Sequence, residues 1–488
     1  MAVSNQSYKK LFSNTIIFAI GSFGSKLLVL LLVPLYTAAL APEQYGTVDL
    51  VAQTANILLP IFTLSVAEAA LRFGLDAKSK EQRQTIYTTC LGVVTFGLGI
   101  MAAIFPFFAK LDYLDGFAPI LYIYVWTAAL KQLNATYVRS LEKVRLFALD
   151  GILTTLEMVL FNILFLLHFK WGMTGYLLAI ILSDLCSSIF LFFAAGLYKH
   201  VNPKRFSLSS LKEMLRYCAP LVPTTLLWLI TSISDRFIIT MFHGEAMNGI
   251  NTAAYKLPTI ITTIFTMFSQ AWNMSAIQEN DSKGREGFYT SVFSFNQSFM
   301  YVMAAGVLLI NRPLTYIWIN GRYHEAMLYS PILTLATVFT CFNVFLGSVY
   351  IAEKKTKRSF ATSLAAGIIN IILNFLLIPR FGIYGAAGAT FAAYFAVFFF
   401  RLFDTAKIIR YRFSMPKIIV NTVLMVVMAA VNQFSGLWVY AALGALFIAV
   451  FALNLSSLLR IATLLLPAKI RDRIPILNKL TEKKECEE

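Results

Sequence analysis

Long apolar runs separated by short polar connections fill the chain from residue 12 to residue 463. Each run is about 20 residues or more in length, which a helix needs to cross a bilayer. Strands of a membrane barrel would be half as long and would alternate in polarity. The pattern therefore predicts an all-α polytopic membrane protein with fourteen transmembrane helices, at residues 12–40, 47–72, 84–108, 117–138, 147–169, 173–198, 214–242, 249–275, 288–310, 326–352, 359–378, 382–404, 416–434 and 437–463.

The composition agrees with a membrane protein. Hydrophobic residues make up 58% of the 488 residues and charged residues 14%, against roughly 25% charged in soluble domains. The net charge of +16 would suggest a nucleic-acid partner in a soluble protein, but here the basic residues cluster between apolar runs, so none is predicted. The five cysteines show no metal-ligand spacing, and no metal or cofactor is expected.

The distribution of positive charge predicts the orientation. The N-terminus, every second connection and the C-terminal tail are assigned 32 of the 41 Lys and Arg residues. The positive-inside rule then places both termini, and a tail at residues 467–488, in the cytoplasm. The first apolar run is too long for a signal peptide and is interpreted as a retained span. The intervening connections hold five basic residues, Lys110, Lys170, Arg312, Arg322 and Arg380.

An internal repeat emerges when the chain is shifted by 210 residues. In that register Lys26 aligns with Arg236, Gly172 with Gly382 and Gly175 with Gly385. The repeat predicts two six-helix lobes and two additional helices, with the boundaries 1–205, 206–412 and 413–466. Because six is even, the lobes are parallel repeats, and transporters built this way bind substrate near mid-membrane and rock between two states.

Four basic residues lie inside apolar runs: Lys26, Arg236, Lys256 and Arg401. A cation costs at least ~3 kcal/mol in the bilayer core, so it must face protein or a watery cavity. Lys26 and Arg236 are predicted to line an anion path, and Lys256 to address the same phosphate as Arg236. Alternatively, Arg236 pairs with a nearby acid and Lys256 snorkels towards the surface. Arg401, near the inner end of its span, is expected to snorkel.

Glu68 and Arg72 are four residues apart on the second span, a spacing that favours a salt bridge. A second interpretation makes Arg72 the first cytoplasmic contact of an anion. Asp235 precedes Arg236 directly, and neighbours in sequence do not share a helix face. Asp235 is therefore expected to point elsewhere and to meet Lys256.

Glu157 and Asp184 are lone acids in the fifth and sixth spans. A desolvated carboxyl can gain and lose a proton near neutral pH, so both are candidates for coupling transport to protons or Na⁺. The alternative is static pairing with Lys26 or Arg236. Further mid-span amides would form hydrogen bonds between helices or line a polar cavity: Gln53, Gln270, Asn273, Asn370 and Asn374.

No catalytic constellation is visible, since P-loop, HExxH and GxSxG motifs are all missing from the sequence. An enzyme is therefore disfavoured. A membrane-embedded glycosyltransferase would need acids at a water-exposed site. Asp112 and Asp115 are the clustered candidates, and they resemble ordinary loop residues.

Three short segments resemble the Wzx-type flippases of lipid-linked oligosaccharides, whose superfamily includes multidrug and toxin extruders and the lipid II flippase. They are Val33 to Gly46, Asp235 to Ile239 and Gly382 to Gly388. The resemblance implies a V-shaped cavity between two lobes and an undecaprenyl-pyrophosphate-linked repeat unit as substrate. It also implies that Lys26 and Arg236 face that cavity.

The predicted function is movement of such a repeat unit from the cytoplasmic to the outer leaflet, for capsule, O-antigen or exopolysaccharide synthesis. The location would be the bacterial cytoplasmic membrane, and the partners would be membrane lipids, a polymerase and other polysaccharide-assembly proteins. The alternatives are a cation-coupled multidrug exporter, whose cavity should be acidic, and a lipid II or teichoic-type flippase. An inside-negative potential favours export of an anion by ~2.3 kcal/mol per charge per 100 mV, and ion coupling stays open.

Overall fold

The computed structural model describes residues 31–108, 116–278, 284–353 and 355–465. These residues form helices and connections, with no strand among them. Within these described ranges, eight helices are long and apolar enough to cross a membrane, and a bent pair supplies a ninth candidate. The prediction of an all-helical, multi-pass membrane protein is therefore confirmed, while the count of fourteen spans stays a prediction.

The helices are numbered in chain order. The first ten are α1 (Val33–Ala39), α2 (Pro42–Thr63), α3 (Val66–Asp76), α4 (Lys80–Phe108), α5 (Ala118–Ser140), α6 (Val144–Asn162), α7 (Gly172–Ala194), α8 (Leu208–Cys218), α9 (Leu221–His243) and α10 (Glu245–Ala254). The remaining helices are α11 (Lys256–Gln278), α12 (Arg285–Trp318), α13 (Ala326–Ala352), α14 (Thr356–Ile408), α15 (Met415–Val431) and α16 (Leu437–Leu465). A π-helix at Ile163–His168 continues α6.

Packing divides the described chain into two compact units, with the boundary between Thr252 and Ala253. The first unit contains α1 to α9 and most of α10, and the second contains α11 to α16. The predicted lobes, 1–205 and 206–412, are defined by the repeat rather than by packing, and they stay a prediction.

The second predicted span is not one straight helix. Leu64 and Ser65 both have positive φ, at 50° and 53°, and α3 leaves α2 at an angle of 53°. Two consecutive left-handed residues cannot continue a right-handed helix, so the span breaks there. Side chains before and after residue 64 consequently do not follow a common helical face, which the continuous apolar pattern did not indicate.

The turn shared by the two repeats has the same local conformation in both copies. Gly172 has φ 55° and Gly382 has φ 54°, values that suit glycine because it has no Cβ. Gly382 thereby interrupts α14 and divides it into two helices, as the predicted spans 359–378 and 382–404 require. Three residues further on, Gly385 lies against the backbone of Leu377, where a Cβ would not fit.

Arg401 is buried in the second unit, and the prediction that it snorkels is wrong. It is 5% exposed, and its Nη1 donates to the carbonyl oxygen of Asn343 on α13 at 2.7 Å. Its Nε and Nη2 donate to Thr362 and Ser363 on the first half of α14 at 2.9 and 2.8 Å. These oxygen atoms satisfy the guanidinium donors and so lower the free-energy cost of burying the charge. Arg401 thereby links α13 to both halves of α14.

Candidate functional site

Arg236 of α9 forms an ion pair with Asp49 of α2 inside the first unit. Nη1 of Arg236 donates to Oδ1 of Asp49, and Nε2 of Gln53 donates to the same oxygen at 3.3 Å. The Arg236 and Asp49 side chains are 16% and 10% exposed, so neither is sealed off. The structure therefore shows Arg236 paired with an acid, as the alternative interpretation expected. The partner, Asp49, was not among the predicted acids.

Close helix packing fixes the position of this pair. Gly46 of α2 and Gly249 of α10 face each other so closely that a Cβ on either would overlap a backbone carbonyl of the other helix. Nδ2 of Asn248 donates to the Gly46 carbonyl at 3.1 Å. The Thr47 hydroxyl donates to Glu245 at 3.1 Å. Small residues permit this approach, and α10 thereby holds the part of α2 that carries Asp49.

A cluster of three tyrosines lies beside the pair. The ring of Tyr36 on α1 is 4.8 Å from that of Tyr176 on α7, and Tyr45 of α2 is 6.3 Å from both. Tyr45 is four residues before Asp49 on α2, so the two side chains share a face of that helix. Since Tyr36 and Tyr45 are buried, the cluster forms a packed aromatic wall on one side of the ion pair.

A second ion pair joins Lys131 of α5 to Asp184 of α7 at 2.6 Å. Lys131 is 13 residues from the start of α5, or ~20 Å at 1.5 Å per residue. Asp184 is 12 residues from the start of α7, or ~18 Å. Their side chains are 29% and 13% exposed. Both helices therefore carry their charge near the middle of a span.

Lys131 was not among the predicted site residues, because its charge was counted with those of the cytoplasmic connections. Its position within the predicted span 117–138 was the available signal. The alternative that Asp184 pairs with Arg236 is wrong, since Asp184 binds Lys131. The physical reason is that α7 and α5 are packed neighbours along their lengths, which brings Lys131 to the carboxylate.

Further polar groups continue this network in the first unit. The Ser187 hydroxyl donates to Asp150 at 2.7 Å, and Nδ2 of Asn134 donates to the Ser188 hydroxyl at 2.9 Å. Glu157 of α6 has one buried carboxylate oxygen without a hydrogen-bond partner among the described residues. An acid in such a position is suited to proton binding, and its coupling role stays a prediction.

We expect Lys131→Met to destabilise the protein by about 1–3 kcal/mol, because it leaves the Asp184 carboxylate without its cation; the range is discounted for solvent screening. The double substitution Lys131→Met/Asp184→Leu should recover most of this loss. Thermal unfolding in detergent micelles measures both. Lys199→Met, at an exposed residue, is the control. A single variant as stable as the parent would show that the pair contributes nothing.

The predicted salt bridge between Glu68 and Arg72 is wrong. Arg72 instead pairs with Asp76 at 2.8 Å. Glu68 lies in the first turn of α3, where free amides stabilise an anion, whereas Asp76 ends the helix, where a nearby cation offsets the unfavourable dipole. The Arg72 and Asp76 side chains are 56% and 63% exposed, so Arg72 remains reachable by an anion.

The structure does not bring the other predicted site residues together within one described unit. Lys26 lies outside the described residues, as does the Gln270 side chain. Asp235 is buried in the first unit, whereas Lys256 begins α11 in the second. Their predicted meeting, and the shared phosphate of Arg236 and Lys256, stay predictions.

The predicted cavity amides of the second unit differ in exposure. Asn273 is half-buried on α11. Asn370 donates to Thr390 at 3.2 Å, across the two halves of α14, and Asn374 donates to Asn370 at 3.1 Å. Both asparagines are buried. They hydrogen-bond between and along the halves of α14, and their role in a polar cavity stays a prediction.

The fold is that of the transporters of the MOP superfamily. The structure of the lipid II flippase MurJ in an inward closed conformation aligns with a TM-score of 0.71 at 16% identity, covering 91% of this chain and 99% of that one. An inward-facing multidrug resistance MATE family transporter aligns with a TM-score of 0.66 at 15% identity, covering 78% and 95%. A MOP superfamily transporter from Pyrococcus furiosus is described as having a binding pocket of reverse polarity. It aligns with a TM-score of 0.57 at 14% identity, covering 83% of this chain and 98% of that one.

The chain belongs to the polysaccharide biosynthesis protein family. The sequence profile of that family matches residues 11–273, which is more than half of the chain and includes both ion pairs. This confirms the relation to polysaccharide export proteins that the three sequence segments indicated.

Two membrane proteins of Methanocaldococcus jannaschii are similar in sequence. MJ1068 is 26% identical over 200 residues, which are 39% of this chain and 38% of that protein. MJ1375 is 24% identical over 264 residues, which are 50% and 61% of the two chains. Both are described as uncharacterized membrane proteins. The match spans less than two thirds of either relative.

Proposed function

We propose that this protein is a flippase that moves an undecaprenyl-pyrophosphate-linked oligosaccharide from the cytoplasmic to the outer leaflet for surface polysaccharide synthesis. It would act in a bacterial cytoplasmic membrane with both termini inside, beside a polymerase and other assembly proteins. The observation that carries this proposal is the pair of partly exposed cations, Arg236 and Lys131, within apolar helices. The family match supports the link to polysaccharide synthesis.

The ion pairs suggest how an anion is accepted. Transfer of a bare pyrophosphate through hydrocarbon would cost tens of kcal/mol. Asp49 and Asp184 each lie against one of these cations and offset its charge. A pyrophosphate entering the site would replace one of these carboxylates as the partner of the cation. One anion would exchange for another, and the cation would stay paired throughout. Arg236 can bind two phosphate oxygens with its planar fork, whereas Lys131 acts as a point charge.

The two pairs would lie at different depths. Asp49 is seven residues from the start of α2 and Arg236 is seven from the end of α9, which is ~11 Å in each case. Lys131 lies ~20 Å from the start of α5. In the predicted topology these three ends face outside, so the pyrophosphate would move from Lys131 outwards to Arg236 over ~9 Å. Lys26 and Lys256 are proposed to add charge to this path, and Arg72 to make the first cytoplasmic contact.

A cation-coupled exporter is the second candidate, and one observation favours it. In α2, α5, α6, α7 and α9, the charged residues at least five positions from a helix end are mainly acids: Asp49, Asp150, Glu157, Asp184 and Asp235 against Lys131 and Arg236. An acidic cavity suits organic cations. Because Asp49 and Asp184 are already paired with cations, the remaining acids fit equally well with proton or Na⁺ coupling of a flippase. A lipid II or teichoic-type flippase would use the same anion contacts.

Transport by purified protein in proteoliposomes tests this proposal. A fluorescent polyprenyl-pyrophosphate oligosaccharide is placed in both leaflets, and its loss from one leaflet is followed with an impermeant quencher. We expect flipping above that of protein-free vesicles, faster when the potential drives anions out of the side that holds the termini. A parent protein that leaves this lipid in place while expelling an organic cation along a proton or Na⁺ gradient would establish the exporter instead.

A further inference from the structure

An apolar groove of about 440 Å³ runs between the two halves of α14 in the second unit. Ala361, Ala365 and Ile369 line it from the first half, and Ala396 and Phe400 from the second. These residues are spaced by four along each helix, so they form one continuous stripe on each wall. The small alanines leave the space that larger side chains would fill.

The groove has the length of one membrane leaflet. From Arg358 at one end to Ile369 at the other are 11 residues of helix, or ~16 Å. The hydrocarbon core of a bilayer is ~30 Å thick, so each leaflet contributes about half of that. A single acyl chain lying along the groove would therefore reach from the membrane surface to the bilayer centre.

The surroundings of the groove are apolar and exposed. Phe360 and Ile368 on the first half are 42% and 50% exposed, and Phe403 on the second is 49% exposed. Large apolar side chains with this exposure are typical of a surface that faces lipid. Lipid chains are therefore the molecules with direct access to the groove.

An ion pair lies at the end of the groove near the membrane surface. Nη1 of Arg358 is 2.9 Å from Oδ1 of Asp404, and the buried Tyr350 hydroxyl donates to the other Asp404 oxygen at 2.8 Å. Arg358 is 56% exposed, and in the described contacts Asp404 engages one of its five donors. Lys355 and Lys357 add positive charge beside it.

We propose that this groove binds an anionic diacyl phospholipid of the bilayer, with one acyl chain between the α14 halves and the phosphate on Arg358. Basic pockets between membrane helices recognise such headgroups, and a guanidinium binds phosphate in a bidentate manner. The groove ends after one leaflet depth at Ile369, which suits an acyl chain and would hold only a fraction of an undecaprenyl chain. The site is independent of the proposed transport function.

Native mass spectrometry and thermal unfolding of the full chain, with phosphatidylglycerol or phosphatidylcholine added to the micelles, test this site. We expect phosphatidylglycerol to bind at least tenfold more tightly than phosphatidylcholine and to raise the unfolding temperature. Arg358→Ala should lose this preference. Ala365→Trp, which fills the groove without touching the ion pair, should lose binding of both lipids. Lys407→Ala removes an exposed charge of α14 that does not line the groove, and it should keep the full preference.

Three results would overturn the proposal. The first is an unchanged phosphatidylglycerol preference in Arg358→Ala, which would assign the headgroup contact elsewhere. The second is unchanged lipid binding in Ala365→Trp, which would exclude the groove as the chain site. The third is displacement of phosphatidylglycerol by an equal or lower concentration of undecaprenyl phosphate, which would identify the occupant as a polyprenyl lipid.

Discussion

The double substitution Arg236→Met/Asp49→Leu is expected to give a folded protein that has lost transport of the lipid-linked oligosaccharide. Removing both charges leaves no unpaired ion, and replacing a buried pair by apolar residues is often neutral or stabilising. The phosphate contact is lost, however, and a hydrogen bond to a charged group contributes about 1.5–3 kcal/mol. At 1.4 kcal/mol per factor of ten, transport should fall about 10- to 100-fold.

The single variants separate a binding role from a structural one. Asp49→Asn should keep some transport, since Arg236 remains charged, whereas Arg236→Met should have little. The exposed pair Arg205–Glu81, at 2.8 Å in the same unit, provides the control, and Arg205→Met/Glu81→Leu should transport normally. If Arg236→Met/Asp49→Leu transports like the parent, Arg236 is a structural partner of Asp49 and the anion path must run elsewhere.

Gly46→Ala is expected to have the largest effect on folding. The new methyl would overlap the carbonyl of Glu245, which belongs to the backbone of α10 and cannot rotate away. Overpacking of this kind costs about 3 kcal/mol, at the upper end of the usual range. Because α10 holds the start of α2, displacement of Asp49 should also lower transport.

Gly99→Ala is the matched control, since nothing lies within 4 Å of its new methyl. Alanine is favoured over glycine inside a helix by roughly 0.5–1 kcal/mol, so this variant should be at least as stable as the parent. The unfolding temperature and the amount of protein recovered from membranes measure both effects. Equal stability of Gly46→Ala and Gly99→Ala would mean that α2 and α10 are not in close contact.

Much of the fold could be predicted because membrane helices are defined by local composition. A run of about 20 apolar residues crosses a bilayer whatever its neighbours are. The turn at Gly382 was also accessible, because the repeat aligned it with Gly172. The break at Leu64 and Ser65 was not predicted, since neither residue type favours positive φ and the hydropathy continues through it.

The candidate site was predicted only in part. Arg236 was recognisable because a cation in an apolar run has a desolvation cost that depends only on the local sequence. Lys131 also lies within a predicted span, so the same desolvation argument applies to it, but its charge was attributed to a cytoplasmic connection. For Arg401 the sequence indicated the desolvation cost of the guanidinium. It did not indicate the carbonyl and hydroxyl groups that offset this cost.

The sequence by itself determined that the protein spans a membrane as a bundle of helices and that Arg236 lies in an apolar helix. Only the tertiary structure decided which groups neutralise the buried cations. Asp49 is 187 residues from Arg236, and Asp184 is 53 residues from Lys131. The cost of burying a charge is local and can be read along the chain. Its compensation depends on which helices pack together and at what depth, which span composition does not specify.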